Sequence, residues 1–259
     1  RADAARRQPA PRARRTPSHA SYSARMYTLR EAEFNPPQLA AVKHREGPIL
    51  VLAGAGSGKT RVIAHRVAHL VATGVDPDAI VAVSFTNKAA NEMRERVAQL
   101  IGTELAKTCH LSTFHALGAL ILRRDIGLLG YRTPFAILDA GDQSQAIKAV
   151  LKELHLESSQ VDPDDVLGYV SRAKMAFVEP SGLPALRFAT LRHVVNRIYQ
   201  RYQDTLRALN AVDFDDLICL PVKLFQQFPE VLARYHAQWR YLLVDEYQDT
   251  NHGQFVLLE

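Results

Sequence analysis

Residues 53–60 read Ala53-Gly54-Ala55-Gly56-Ser57-Gly58-Lys59-Thr60. Glycines at this density let backbone N–H groups converge on an anion without Cβ clashes. A lysine directly after the last glycine can reach the outer phosphates of a nucleotide, and the hydroxyl that follows can hold Mg²⁺. Gly56, Gly58, Lys59 and Thr60 fit those parts, while Ala53 stands where the pattern G-x-x-x-x-G-K-[ST] has glycine. Arg61 is next, placed either to touch a nucleotide or to lie in solvent. The second candidate is LLVDEYQDTN at 242–251. A carboxylate ending a buried strand, Asp245, can hold Mg²⁺ beside a loop hydroxyl, and its neighbour Glu246 can take a proton from an attacking water. An apolar run ending in two acids is a weak signal by itself. Beside a phosphate loop it completes a nucleotide-hydrolysing site.

The elements around these residues suit that chemistry. PILVLA (48–53) reads as a buried strand, followed by the glycine cluster and a helix from Thr60 to Ala72. AIVAVSF (79–85), HLST (110–113) and YLLVDE (241–246) read as further strands, with helices predicted at 88–101 and 114–124. Continuous apolar strands alternating with helices predict an α/β fold, a parallel sheet covered on both faces. Between about 120 and 212 the pattern becomes helical, with predicted helices at 139–155, 163–177 and 184–209 and one short strand at 135–138. Ile147, Val150, Leu151 and Leu154 show the three- and four-residue spacing of a helix face. This block reads as a helical subdomain inserted into the α/β domain.

A composition of 47% hydrophobic and 23% charged residues excludes a largely disordered, collagen-like or coiled-coil chain. No apolar run approaches the roughly 18 residues of a membrane helix. The two cysteines, Cys109 and Cys219, lack metal or disulfide spacing, which points to a reducing, cytoplasmic setting. The net charge of +5 is misleading as a guide to partners. Residues 1–25 hold seven arginines and one acid, Asp3, so the rest of the chain is nearly neutral. Those 25 residues carry little to bury and read as a disordered basic tail, with Met26 as a natural start. The apolar run ending at Glu259 has no helix stop, so the sequence is expected to continue.

Taken in order, AGAGSGKT, VSFTNKAANEMRERV (83–97), STFHAL (112–117), VDFDDL (212–217) and VDEYQDTN (244–251) resemble the blocks of superfamily 1 DNA helicases of the UvrD/Rep/PcrA type. Alanine at the head of the loop is the form this family uses. The resemblance implies a P-loop NTPase of the RecA-like type, with ATP and Mg²⁺ as cofactors and single-stranded and duplex DNA as partners. It implies subdomain 1A at 26–119 and 213–259 and an inserted subdomain 1B at 120–212. FNPPQLAAV (34–42) resembles the family's adenine-reading motif, with Gln38 as reader and 53–61 as the nucleotide-binding loop. Gln248 is implied in γ-phosphate sensing. Phe85, Thr86, Asn87, Thr113, Phe114 and His115 are implied as DNA contacts. On residue type alone, Phe85 suits a core strand end and His115 an ordinary core or surface histidine. The DFDDL carboxylates Asp213, Asp215 and Asp216 receive no acid–base role; helix capping is their structural reading.

The family function implied is ATP-driven 3′-to-5′ translocation and unwinding. A helicase-nuclease subunit of the RecB or AddA kind, and a nucleotide- or DNA-binding module without turnover, are the alternatives. The family's second RecA-like domain and cross-cleft arginines are not among these residues, so this chain is not expected to unwind DNA unaided. Starting the chain at Met26 is expected to leave nucleotide affinity unchanged. It should abolish most low-salt binding to duplex DNA, because that binding follows the number of phosphate-neutralising cations. A fluorescence-anisotropy titration checks this, and unchanged duplex affinity would refute it.

Overall fold

The computed structural model describes residues 27–54, 56–156, 162–182 and 189–259, with backbone alone for 189–193. The basic tail, Ala55 and the start of the helix expected at 184 lie outside the described residues. The first half runs α1 (Pro36–Lys43), α2 (Lys59–Ala72), β1 (Ile80–Ser84), α3 (Asn87–Ile101), α4 (Thr103–Thr108), β2 (His110–Thr113) and α5 (Phe114–Asp125). Then come β3 (Ala136–Ile137), α6 (Ala140–Glu153), α7 (Pro163–Met175), α8 (Ala189–Ala208) and β4 (Ala211–Val212). The chain closes with α9 (Asp216–Gln227), α10 (Pro229–Gln238), β5 (Tyr241–Val244) and α11 (His252–Leu258).

The main sheet has the order β2-β1-β5, all parallel, with Ala82 opposite both Leu111 and Leu243. Every residue of β1 is buried, as its unbroken apolar sequence requires. Strand periodicity divides those residues between two cores. Ile80 and Ala82 pack with Val67 and Leu70 of α2 and with Met93 and Val97 of α3. Val81 and Val83 pack on the other face with Phe114, Leu117, Ile121, Ile218 and Tyr235. The expected parallel sheet with helices on both faces is therefore present.

One strand expectation requires correction. Residues 48–53 form no strand, and Ile49, Leu50, Val51 and Leu52 are exposed, Leu52 at 87%. A strand buried on both faces needs a hydrogen-bonded neighbour. None pairs with this run among the described residues, and Leu242 of β5 is likewise 45% exposed. The apolar run carries the propensity, but without the ladder partner it stays irregular.

The helices α6, α7 and α8 enclose their own core of Ile147, Val150, Leu151, Val166, Val170, Ile198 and Tyr202. The two connections to the α/β part are bound to each other. Strands β3 and β4 pair in parallel, and Leu138 donates to the Val212 carbonyl at 2.9 Å. Asn210, in the left-handed region at φ 50°, donates its amide to the carbonyls of Arg132 and Pro134 at 3.1 and 3.0 Å. Asparagine tolerates that conformation better than most residues.

Lys174 of α7 is buried against Asp213 and Asp216, 2.6 and 2.9 Å from their carboxylates. Burial pulls its pKa down, but the two carboxylates outweigh burial and the net shift is upward. Burial pushes Asp216 up to about 6, against the opposing pull of Lys174. Asp213 and Asp216 accept each other's backbone N–H, at 2.9 and 3.2 Å, at the entry to α9, whereas Asp215, the residue preceding that helix, caps nothing with its side chain and departs from the capping reading. Asp213 and Asp216 each also carry a buried ion pair that spacing alone did not reveal.

Helices α5 and α9 meet at Gly118, where a Cβ would lie 1.7 Å from the Leu217 carbonyl oxygen. Gly118→Ala is therefore expected to lower stability by about 1–3 kcal/mol through overpacking against rigid backbone. Urea unfolding measures this, and an unchanged midpoint would mean that the two helices part freely.

Candidate functional site

The glycine loop closes on itself before α2 begins. The Ser57 hydroxyl donates to the Gly54 carbonyl at 2.7 Å, and Gly56 and Gly58 take φ of 73° and 82°. Gly58 is the residue preceding α2, and no side chain caps that helix. The helix N-terminus thus points its first N–H groups into the loop, where an anion is favoured. Lys59 Nζ lies 3.4 and 3.3 Å from the carbonyls of Ala53 and Gly54 and 3.5 Å from Glu246. Its ammonium is held at the loop's mouth by weak, exchangeable partners.

The acidic pair reaches the loop through the sheet. The Asp245 N–H donates to the Val83 carbonyl at 3.0 Å, prolonging the β1–β5 ladder past the strand end. The Asp245 side chain is then 3.4 Å from the Thr60 hydroxyl, which donates to it. Burial, and next to it the charge of Glu246, raises the Asp245 pKa. Glu246 sits in the left-handed region at φ 52°, exposed, with the Gln248 amide donating to it at 2.5 Å. That bond, and behind it Lys59, holds Glu246 below its ordinary value. Lysine, hydroxyl and two carboxylates, drawn from opposite ends of the chain, form one cluster. Among the described residues no group of three or more histidines, cysteines or acids gathers to hold a metal. The donor set at Thr60 and Asp245 suits Mg²⁺, which is bound through one or two protein ligands, waters and substrate phosphates.

Gln38 caps its own helix in a reciprocal box with Asn35 and donates its amide to the Ser57 carbonyl at 2.9 Å. Both ends of its side chain are engaged, one on α1 and one on the loop. Arg61 pairs with Glu33 at 2.8 Å and lies 4.8 Å over the Phe34 ring. Neither Glu33 nor Phe34 was legible as a partner of Arg61, because nothing in their spacing links them. Ala55 lies outside the described residues.

The residues expected to face DNA lie at the same, C-terminal edge of the sheet, but unequally. Thr86 and Asn87 are exposed at the start of α3, where the Thr86 hydroxyl accepts the Ala89 N–H at 3.1 Å. Phe85 is half-buried, its ring 5.3 Å from that of Phe114. Phe114 itself is 1% exposed within the core, which leaves no face for a base and corrects the expectation for that residue. Thr113 is buried and caps α5 by accepting the Ala116 N–H at 3.2 Å. His115 is half-buried, and burial lowers its pKa. Its ring lies 5.5 Å from Phe214, an aromatic 48% exposed that sequence reading passed over inside DFDDL. An aromatic set directly between two carboxylates, Asp213-Phe214-Asp215, is the sequence signal that would have found it.

A parallel sheet sandwiched by helices, with a glycine loop opening α2 and an acidic pair ending β5, defines a RecA-like α/β protein. The sequence profile described as the UvrD/REP helicase N-terminal domain matches residues 34–259. The chain belongs to that family. It is 47% identical over 225 residues to an ATP-dependent DNA helicase PcrA of Leuconostoc citreum, covering 86% of this chain and 30% of that protein. The PcrA helicase of Bacillus subtilis is 46% identical over 226 residues, covering 87% and 30%. That of Staphylococcus aureus is 44% identical over 228 residues, covering 87% and 31%. The chain thus spans under a third of the length of the relatives it matches. No helix among the described residues is long and apolar enough to cross a membrane.

Gly58→Ala is expected to cost roughly 1–2 kcal/mol, because alanine is strained in the left-handed region. Gly54, whose Cβ would meet open space, should accept alanine within about 0.5 kcal/mol. Paired thermal melts compare the two, and equal costs would contradict the loop geometry.

Proposed function

We propose that this chain is the ATP-binding part of an ATP-dependent DNA helicase that moves 3′ to 5′ along single-stranded DNA and unwinds duplex. The observation that carries the reading is the approach of Thr60 to Asp245 at 3.4 Å with Lys59 beside Glu246 at 3.5 Å. Loop and acidic pair are useful only together, and the fold brings them together. In this reading Lys59 leaves the loop carbonyls for the β- and γ-phosphates of ATP. Thr60 and Asp245 hold Mg²⁺, which supplies charge neutralisation at the phosphates. Glu246, 3.5 Å from the Lys59 ammonium, accepts the proton of the attacking water. Gln248, already bonded to Glu246, couples that base to the phosphate end of the site. The backbone of residues 53–58 cradles phosphate, Gln38 exchanges its Asn35 and Ser57 partners for the adenine edge, and Arg61 contacts the nucleotide.

Phe85, Thr86, Asn87 and His115 line the DNA path, with Thr113 beneath them capping α5 and Phe214 as an added stacking surface. Base–aromatic stacking is indifferent to sequence, which suits a translocating motor. We assign residues 26–119 and 213–259 to the ATP-binding subdomain and 120–212 to the inserted one.

Lys59→Ala is expected to weaken binding of a fluorescent ATP analogue by about ten- to a hundredfold, the loss of a charge-assisted hydrogen bond. In the full-length protein, Glu246→Gln should keep that binding and lower phosphate release about 10²–10⁴-fold. Equal binding by wild type and Lys59→Ala would overturn the proposal.

A further inference from the structure

We infer that Lys174 is a positioning residue. From the helical insert it fixes the turn 213–216 and thereby sets the DNA affinity of the Phe214–His115 surface, an inference that rests on the DNA path proposed above. The geometry of the buried charges carries it. Lys174, Asp213 and Asp216 have side chains only 2%, 2% and 4% exposed. Every carboxylate oxygen of the pair has a donor of its own. Asp213 Oδ1 accepts the Asp216 N–H at 2.9 Å. Asp213 Oδ2 accepts the Lys174 ammonium at 2.6 Å and the Tyr202 hydroxyl at 3.0 Å. Asp216 Oδ1 accepts Lys174 at 2.9 Å and Oδ2 the Asp213 N–H at 3.2 Å. A buried ion pair is a poor source of stability compared with an apolar core of the same shape. What such a network does well is assign each atom one place.

The place assigned is that of a turn. With Asp213 and Asp216 held inward at both ends, Phe214 between them faces outward while Asp215 turns to α7. Phe214 lies exposed beside the ring of His115, 5.5 Å away. Asp215 accepts the hydroxyl of Ser171 at 3.1 Å. Ser171 and Lys174 are three apart on α7 and so share one face of it. Helix α7 therefore grips the turn at both Asp215 and the buried pair, and Tyr202 adds a hold from α8. A shift of the insert is transmitted to Phe214 through these hydrogen bonds and ion pairs. Among the described residues, the nucleotide loop shares none of these contacts.

The test is a double-mutant cycle in the 259-residue chain. A fluorescein-labelled oligo-dT reports DNA affinity, and a fluorescent ATP analogue reports the nucleotide site in the same samples. Phe214→Ala, an exposed change, is expected to weaken oligo-dT binding about tenfold. Lys174→Met should weaken it by a similar factor with ATP-analogue affinity unchanged. In the double variant the two losses should not multiply, because Lys174 acts through Phe214. Tyr202→Phe removes a single donor and keeps the core shape. It is expected to give about a threefold loss with the same non-additivity, and it carries the cycle if Lys174→Met does not fold. Losses that multiply, unchanged oligo-dT binding by a folded Lys174→Met or Tyr202→Phe, or a parallel fall in ATP-analogue affinity would overturn the inference. Failure of the unaltered chain to bind oligo-dT would overturn the proposed DNA path as well; binding with multiplying losses would overturn this inference alone.

Discussion

The parallel pairing of β5 with β1 is the constraint from which the site follows. Val83 lies opposite Val244, and the ladder runs one bond further, from the Asp245 N–H to the Val83 carbonyl. That single register fixes how far Asp245 and Glu246 project beyond the sheet. A slip of one residue would turn Asp245 to the other face and bury an unpaired carboxylate. Because β1 is buried on both faces, its own position is set by two cores at once, and β5 inherits that precision. On the other side of the cluster, α2 packs Val67 and Leu70 against the same sheet, so Thr60 at its first turn has little freedom. The Thr60–Asp245 approach is thus a consequence of core packing well away from it.

Electrostatics within the site favours an arriving anion. The ammonium of Lys59 has only carbonyl oxygens and an exposed carboxylate for company, and no side chain caps the start of α2. The two carboxylates are driven apart by their surroundings: burial raises Asp245, while the Gln248 amide lowers Glu246. The second buried charge cluster, around Lys174, shows the opposite design. It is closed to solvent and saturated with hydrogen bonds, which suits a fixed joint and not a reacting centre.

Much of this was legible in the residues. The phosphate loop, the acidic pair and the strands at 80–84, 110–113 and 241–244 all follow from glycine placement and apolar continuity, and the helical insert from its three- and four-residue spacing. The departures have definite causes. Residues 48–53 carry strand propensity but find no ladder partner among the described residues, so Leu50 and Leu52 remain exposed. Phe114 sits within a motif that reads as DNA-facing, yet as the first residue of α5 it turns its ring into the core beneath β1.

The sequence by itself determined local structure: where glycines form the loop ahead of α2, which strand is buried on both faces, and which side chains bring hydroxyl, ammonium and carboxylate groups. Those properties depend on residues within a few positions of each other. Tertiary structure alone decided which distant groups meet. It set Thr60 against Asp245, Arg61 between Glu33 and Phe34, and Lys174 against Asp213 and Asp216. No spacing rule connects such pairs, because the distance between them is set by how helices pack on a sheet and not by the chain that separates them.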